Sequence, residues 1–339
     1  MRFRTVSRTE RGWTRRRAGR GFQYLDERGG VLVGPDRERC VALAIPPAWE
    51  EVWICRWPSG HLQATGRDAA GRVQYLYHPL WRERMEEQKH ERVLEVAHRL
   101  PEGRERVLRD LAEKGVPRDR ALGAAFRLLD RGLFRVGNDR YAAQGGGYGL
   151  ATLRKDHVTL RRDRSTMEFA YEGKAGVAQR VVVADPLAYE VVGPMRRRRE
   201  GDTLLAFQER RRWSELSSAD VNAYLQERVC ADMTAKDFRT WHATVLAAVS
   251  LASRDEGAAS VTARRRAVAA TMREVSDVLG NTPAVARASY VNPRVVELFE
   301  EGVTIAPTLR RIGPAIDEER DRPALEQAVL TLLADGRSE

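Results

Sequence analysis

Residues 234–244 read "TAKDFRTWHAT". Thr234 followed three positions later by Asp237 is a capping pattern that opens a helix at about residue 235. Lys236 and Arg239 then fall in its first turn and a half, on one side. A helix N-terminus carries partial positive charge and unsatisfied N–H groups, so two cations beside it make a ready phosphate site. From this stretch alone the pair reads as readily as a solvated basic face.

The rest of the chain narrows the choice. At about 100–200 residues per domain, 339 residues predict two domains. A composition of 42% hydrophobic and 31% charged residues is globular, and no run approaches the roughly 18 apolar residues of a membrane-crossing helix. The basic opening "MRFRTVSRTERGWTRRRAGRG" is followed by no apolar segment of a secretory signal, so a soluble, cytoplasmic protein is expected. Cys40, Cys55 and Cys230 are too scattered for a disulfide framework, and neither they nor the six histidines show zinc-ligand spacing. No metal and no cofactor are expected. The formal charge of +10 makes an extended polyanion the first partner to consider, nucleic acid ahead of a membrane surface.

Of the 58 lysines and arginines only five are lysine, at 89, 114, 155, 174 and 236, which leaves 53 arginines. A guanidinium clamps phosphate but is effectively never deprotonated, whereas an ammonium can surrender a proton. Each lysine is therefore a candidate for work that arginine cannot do, set against chance retention at a surface.

Residues 31–77 break into short apolar or alternating runs, "VLV", "VALAI", "EVWICRW", "HLQATG" and "RVQYLY", separated by turn residues, which predicts a small antiparallel β-domain. Helical texture begins near residue 80, with a first helix closed by Pro101 and Gly103 and two more at about 104–114 and 118–131. Strand texture returns over 133–183 as "LFRVG", "HVTLRR", "TMEFAYEG" and "VAQRVVVAD". Three of these form a meander with Gly173-Lys174-Ala175-Gly176 as a hairpin tip. Beyond 184 the chain reads as helices at 184–193, 219–229 capped by Ser217 or Ser218, 235–253, 258–279, a short one from 284, and 294–301. In "LGNTPAVARASYVNP", residues 279–293, Thr282 caps and Pro283 starts the short helix that presents Tyr290. The stretch from about 305 carries one last helix and no legible motif. "MRRRRE" (195–200), "ERRRW" (209–213) and "RRR" (264–266) read as solvated faces that are also able to track a duplex.

Taken together, "TAKDFRTW", "LGNTPAVARASY", "FRVGNDRY" before "YGLATL", "YEGKAG" and the early "IPPAWEEVWIC" with "GHLQATGRDAAGRVQYLYHPLW" resemble, in order and spacing, the type IB DNA topoisomerases of bacteria and poxviruses. The likeness covers about residues 20–305. It implies an α+β architecture: a β-rich N-terminal domain over 1–80 and a mainly helical catalytic domain of the tyrosine-recombinase type over 81–305, with 306–339 left as a helical tail. It implies a monomer that closes as a clamp on double-stranded DNA and acts at the nucleoid without ATP.

The resemblance also implies roles. Tyr290 corresponds to the nucleophile that becomes a 3′-phosphotyrosyl linkage, Arg135 and Arg239 to the guanidiniums that hold the nonbridging oxygens, and Lys174 to the general acid. Lys236 corresponds to a lysine near the site. Asn281 stands where viral and nuclear enzymes carry histidine, and its amide still donates a hydrogen bond. Gln74, Tyr75 and Tyr77 correspond to a strand that lies in the major groove, against the alternative of half-buried strand aromatics, and Tyr141 to a phosphate contact. The chemistry of the residues agrees: a phosphodiester's transfer state spreads negative charge that permanently charged planar donors stabilise, and an alkoxide leaving group needs a proton. A tyrosine recombinase shares this chemistry but shows "HxLRH" and a helical N-terminal domain, where this chain has "KDFRT" and a β-rich start. A noncatalytic DNA-binding protein explains the charge but not the lysines.

Overall fold

The computed structural model describes residues 1–137, 147–162, 165–255 and 260–335. The chain forms two compact units, Met1–Lys89 and His90–Glu339.

The first unit is an antiparallel sheet in the order β2-β1-β3-β4-β5, with β1 Trp13–Ala18, β2 Gly21–Leu25, β3 Glu50–Ile54, β4 Leu62–Arg67 and β5 Val73–Tyr77. Trp13, Tyr24, Ile54 and Ala64 from the strands pack with Cys40 and Ile45 as its core. Two elements differ from the sequence expectation. The expected strand "VALAI" begins inside helix α1, Gly34–Ala42, where Pro35 in the first turn presets helical φ and Asp36 complements the helix N-terminus. Strands β1 and β2 precede the expected β-region, and β1 was hidden by its arginines. Arg15 lies 4.1 Å over the Phe22 ring and donates to the carbonyls of Ile45, Pro46 and Trp49, so a cation occupies a place that an apolar residue ordinarily marks.

Helix α2, Pro79–Leu111, begins in the first unit and carries the chain into the second. It runs through Pro101, where a stop was expected, because Val96, Leu100, Val107 and Leu111 form one continuous buried stripe. Each fully buried side chain of this size contributes about 1.5–3 kcal/mol, against roughly 3 kcal/mol for a proline in a helix interior. Helix α3, Arg118–Gly132, follows, then the meander β6 Val158–Arg161, β7 Thr166–Glu172 and β8 Ala178–Ala184 in the order β6-β7-β8. "LFRVG" is not a strand of that sheet. Its Arg135 and Val136 carbonyls instead accept from the amides of Leu150 and Ala151.

Helix α4, Pro186–Arg197, and the hairpin β9 Ala206–Glu209 and β10 Arg212–Glu215 lead to α5, Ser218–Arg228, which Ser217 caps. Helix α6, Ala235–Ala252, is the hub. Phe238, Trp241, Ala247 and Leu251 are buried along it, and it packs on α3, α5, α7 Val261–Leu279, α9 Pro293–Glu300, α10 Ala306–Ile312 and α11 Glu318–Asp335. Between α7 and α9 lies the short α8, Pro283–Ser289.

The last stretch, expected as a tail with one helix, folds as α10 and α11. Leu325, Val329, Leu330 and Leu333 of α11 join the same core as α6. Arg104 of α2 donates in bidentate fashion to Asp130 of α3 (2.9 Å each) and to Glu326 of α11 (2.7 and 2.8 Å), and His242 of α6 reaches Asp130 at 2.9 Å.

Candidate active site

In the second unit the chain brings together four of the residues singled out by sequence, with Lys236 beside them. Helix α6 supplies two. Asp237 is 1% exposed, accepts from both the backbone amide and the hydroxyl of Thr234 (2.8 and 2.9 Å) and takes an ion pair from Arg92 at 2.7 Å. The helix start is thereby fixed. Lys236 is exposed, but Arg239 is 4% exposed, so the reading of the pair as a solvated face does not hold for the arginine.

Arg239 is held by backbone. Its Nη1 donates to the Leu133 carbonyl at the end of α3, and its Nη2 to the Leu279 carbonyl at the end of α7, at 2.6 Å. Leu133 takes a left-handed conformation, φ 51°, which turns the chain out of α3 towards Arg135. Phe134 then plugs the core edge-on to Phe169, with ring centroids 4.9 Å apart. Arg135 Nη2 donates to Asn281 Oδ1 at 2.6 Å. Asn281 follows Gly280, the left-handed cap of α7, whose φ of 60° suits glycine.

Tyr290 is the C-cap of α8, its amide bonded to Ala286. The buried Thr244 hydroxyl of α6 donates to the Thr240 carbonyl at 2.9 Å and accepts from the Asn292 amide at 3.1 Å, which ties the chain two residues beyond Tyr290 to the helix of Arg239. The Arg239 guanidinium lies 5.3 Å from the centre of the Tyr290 ring and Lys236 Nζ lies 5.9 Å from it.

Among the described residues no carboxylate forms an ion pair with Arg135 or Arg239, and the electrostatics reflect it. Burial, then repulsion from Arg135, lowers the Arg239 pKa, with Tyr290 opposing. Burial pushes the Tyr290 phenol up, but the charges of Arg239, Arg135 and Lys236 outweigh it, and the net shift is downward. Arg239 Nε and Asn281 Nδ2 are buried without a hydrogen-bond partner among the described residues. Buried donors of this kind cost about 1–3 kcal/mol each. Unpaired donors beside uncompensated positive charge suit an anion with several acceptor oxygens.

Lys174 is exposed at the tip of the β7–β8 hairpin. Two of the candidate DNA contacts share one face of β5, an edge strand of the first unit: Tyr75 and Tyr77 stack at 6.2 Å with 14° between planes and are 47% and 37% exposed. Gln74 points the other way and donates to Asp68 at 2.9 Å. Tyr141 lies outside the described residues.

Sequence reasoning missed Thr244 and Tyr171. Thr244 is a single hydroxyl in an apolar helical run, a weak signal. Tyr171 stacks on Phe134 at 6.1 Å, and its phenol, raised by burial, is pulled back by Arg239 and Arg135. Among the described residues no group of three or more His, Cys, Asp or Glu side chains is placed to hold a metal, and no helix is long and apolar enough to cross a membrane.

Comparison with known proteins defines the class. Residues 79–303 match the family described as eukaryotic DNA topoisomerase I, catalytic core, and residues 21–68 match bacterial DNA topoisomerase IB, N-terminal domain. The chain belongs to the type IB DNA topoisomerase family and is an isomerase that acts on DNA. It is similar to DNA topoisomerase 1B of Acanthamoeba polyphaga mimivirus, 28% identical over 82% of this chain and 84% of that protein. DNA topoisomerase 1 of Daucus carota and of Schizosaccharomyces pombe are 27% and 29% identical over 40% and 39% of this chain, spans that cover 16% of each of those proteins.

Proposed function

We propose that this chain relaxes supercoiled duplex DNA by cutting and resealing one strand through a 3′-phosphotyrosyl intermediate, without ATP and without an obligatory metal. The observation that carries the reading is the buried Arg239 guanidinium, uncompensated by any carboxylate in its cluster, beside Tyr290, with the partnerless Arg239 Nε and Asn281 Nδ2 as vacant donors. These are the requirements of a site that receives a phosphodiester.

The reaction follows from the residues. The lowered Tyr290 phenol gives its proton to water and its oxygen attacks phosphorus. Arg135, Arg239 and Asn281 donate to the nonbridging oxygens, where charge gathers in the transition state. The bond from phosphorus to the 5′ oxygen breaks, and Lys174 gives that oxygen a proton. Religation is the reverse: the 5′ hydroxyl returns its proton to Lys174 and attacks phosphorus, and the tyrosyl oxygen leaves. The phosphotyrosine conserves the phosphodiester's bond energy, which removes the need for ATP. Lys236, 5.9 Å from the Tyr290 ring, adds positive charge to the phenol's surroundings.

In this reading the β-rich unit covers a second face of the duplex as a clamp, with a single chain sufficient. Tyr75 and Tyr77 meet base edges or phosphates in the major groove with Gln74 beside them, Tyr141 contacts a phosphate, and the enzyme works at the nucleoid. The test is relaxation of positively and negatively supercoiled circles in EDTA without ATP, paired with a denaturing gel of end-labelled DNA. Relaxation and an adduct at the 3′ side of the break are expected. A strict requirement for Mg²⁺ or ATP, or an adduct at the 5′ side, overturns the reading.

A further inference from the structure

Lys174 sits on a tip whose shape is set locally. Gly173 N donates to the Val177 carbonyl at 2.8 Å, and Ala175 and Gly176 are both left-handed, at φ 64° and 75°. That turn makes the hairpin but does not aim it at the Arg–Tyr cluster. A side chain on β8 lies between that tip and the Asn281 loop. Gln179 pairs with Tyr171 across the hairpin and is half-buried. A Cβ placed on Gly280 would lie 2.7 Å from Gln179 Oε1, and a Cβ placed on Gly173 would lie 2.7 Å from Gln179 Cγ. The glutamine therefore fills the space between two glycines, one immediately before Lys174 and the other immediately before Asn281. Its own hydrogen bonds are long, from Nε2 to the Val177 and Ala178 carbonyls at 3.5 and 3.4 Å. Its fixed place derives from packing against Gly280 and Gly173.

We propose that Gln179 is a positioning residue for the proton-transfer step, seating the Lys174 tip against the Asn281 loop; the inference rests on the reading of Lys174 as the general acid. A lysine at the end of a flexible four-carbon stem transfers a proton efficiently only when its base is fixed to within a fraction of an ångström, and a misplacement of 1 Å costs about 10²-fold. Gln179→Ala opens the seat while the hairpin's own turn and ladder hold it folded.

The experiment is single-turnover cleavage on two substrates, an ordinary phosphodiester and one whose 5′ bridging oxygen is sulfur. A thiolate leaves without a proton, so the sulfur substrate reports every step except the acid's. Gln179→Ala is expected to slow the ordinary substrate by about 10- to 10²-fold and to cleave the sulfur substrate at the wild-type rate, which also shows the variant is folded. Adding it to Lys174→Ala is expected to produce no further slowing. Equal slowing of both substrates, no slowing of either, or an additive double variant overturns the inference alone. Failure of sulfur to rescue Lys174→Ala removes the acid reading itself, and this inference with it.

Discussion

Arg239, buried, and Arg104, with its side chain 19% exposed, are two arginines of the same unit with opposite surroundings. Arg104 faces two carboxylates, Asp130 and Glu326, in paired bidentate contacts, and despite the opposing effect of burial its pKa is raised by them. Arg239 faces two backbone carbonyls, a second arginine and a phenol, and its pKa is lowered. Burying a charge is costly unless it is paired, so a fold built for stability alone resolves both sites in the manner of Arg104. The contrast separates an arginine that completes a structure from one that awaits an anion.

The sharpest break of that contrast is at the tyrosine. Tyr290→Phe removes the attacking oxygen and leaves the cations, so covalent adduct is expected to vanish entirely while duplex binding in a gel-shift or anisotropy measurement stays at the wild-type level. Adduct formation by this variant would place the nucleophile elsewhere.

Methionine in place of each arginine then tests the pair directly. Arg239→Met is expected to slow single-turnover cleavage by about 10²–10³-fold, the loss of a preorganised transition-state donor. Its effect on stability is the smaller of the two: two carbonyls lose donors at about 1 kcal/mol each, while the removal of an uncompensated buried charge works the other way. Arg104→Met is expected to do the reverse. It strands Asp130 and Glu326 and lowers unfolding free energy by about 3 kcal/mol, the lower end of the usual range because His242 and Arg322 still hold Asp130. Its cleavage rate per folded molecule is expected near wild type. Denaturant melts beside cleavage time courses decide it, and the contrast is wrong if the two variants share one pattern.

The same contrast explains what could be read in advance. The capping pair Thr234 and Asp237, the Thr282-Pro283 start and the glycines of the hairpin are local devices, and they appear in the structure where the sequence puts them. Arg239 and Tyr290 were named from motifs, yet nothing local distinguished Arg239 from 52 other arginines. Its burial depends on the Leu133 and Leu279 carbonyls, at separations of 106 and 40 residues. Distance in sequence also hid the Arg104 site, whose partner Glu326 lies 222 residues away in a stretch taken for a tail. Strand β1 escaped for another reason: arginine stems packed on the Phe22 ring took the places that apolar alternation ordinarily marks.

The smallest effect concerns Lys236, exposed but close to the Tyr290 ring, and it is read from pH. The phenol is the nucleophile only when ionised, and its pKa is below the ordinary value of about 10 because Arg239, Arg135 and Lys236 outweigh burial. In stability this lowering counts fully only above the unfolded phenol's value and fades as pH falls through the folded value, so near neutrality it shows in rate rather than in folding. The single-turnover cleavage rate of the wild type is therefore expected to rise with pH and level off before an ordinary tyrosine has ionised. Lys236→Met removes one of three cations, and that the weakest in its effect on the phenol, so the rise is expected to move to higher pH while the plateau keeps its height. A plateau that falls with no movement of the rise would make Lys236 a participant in proton transfer, placing it with Lys174 rather than with the arginines.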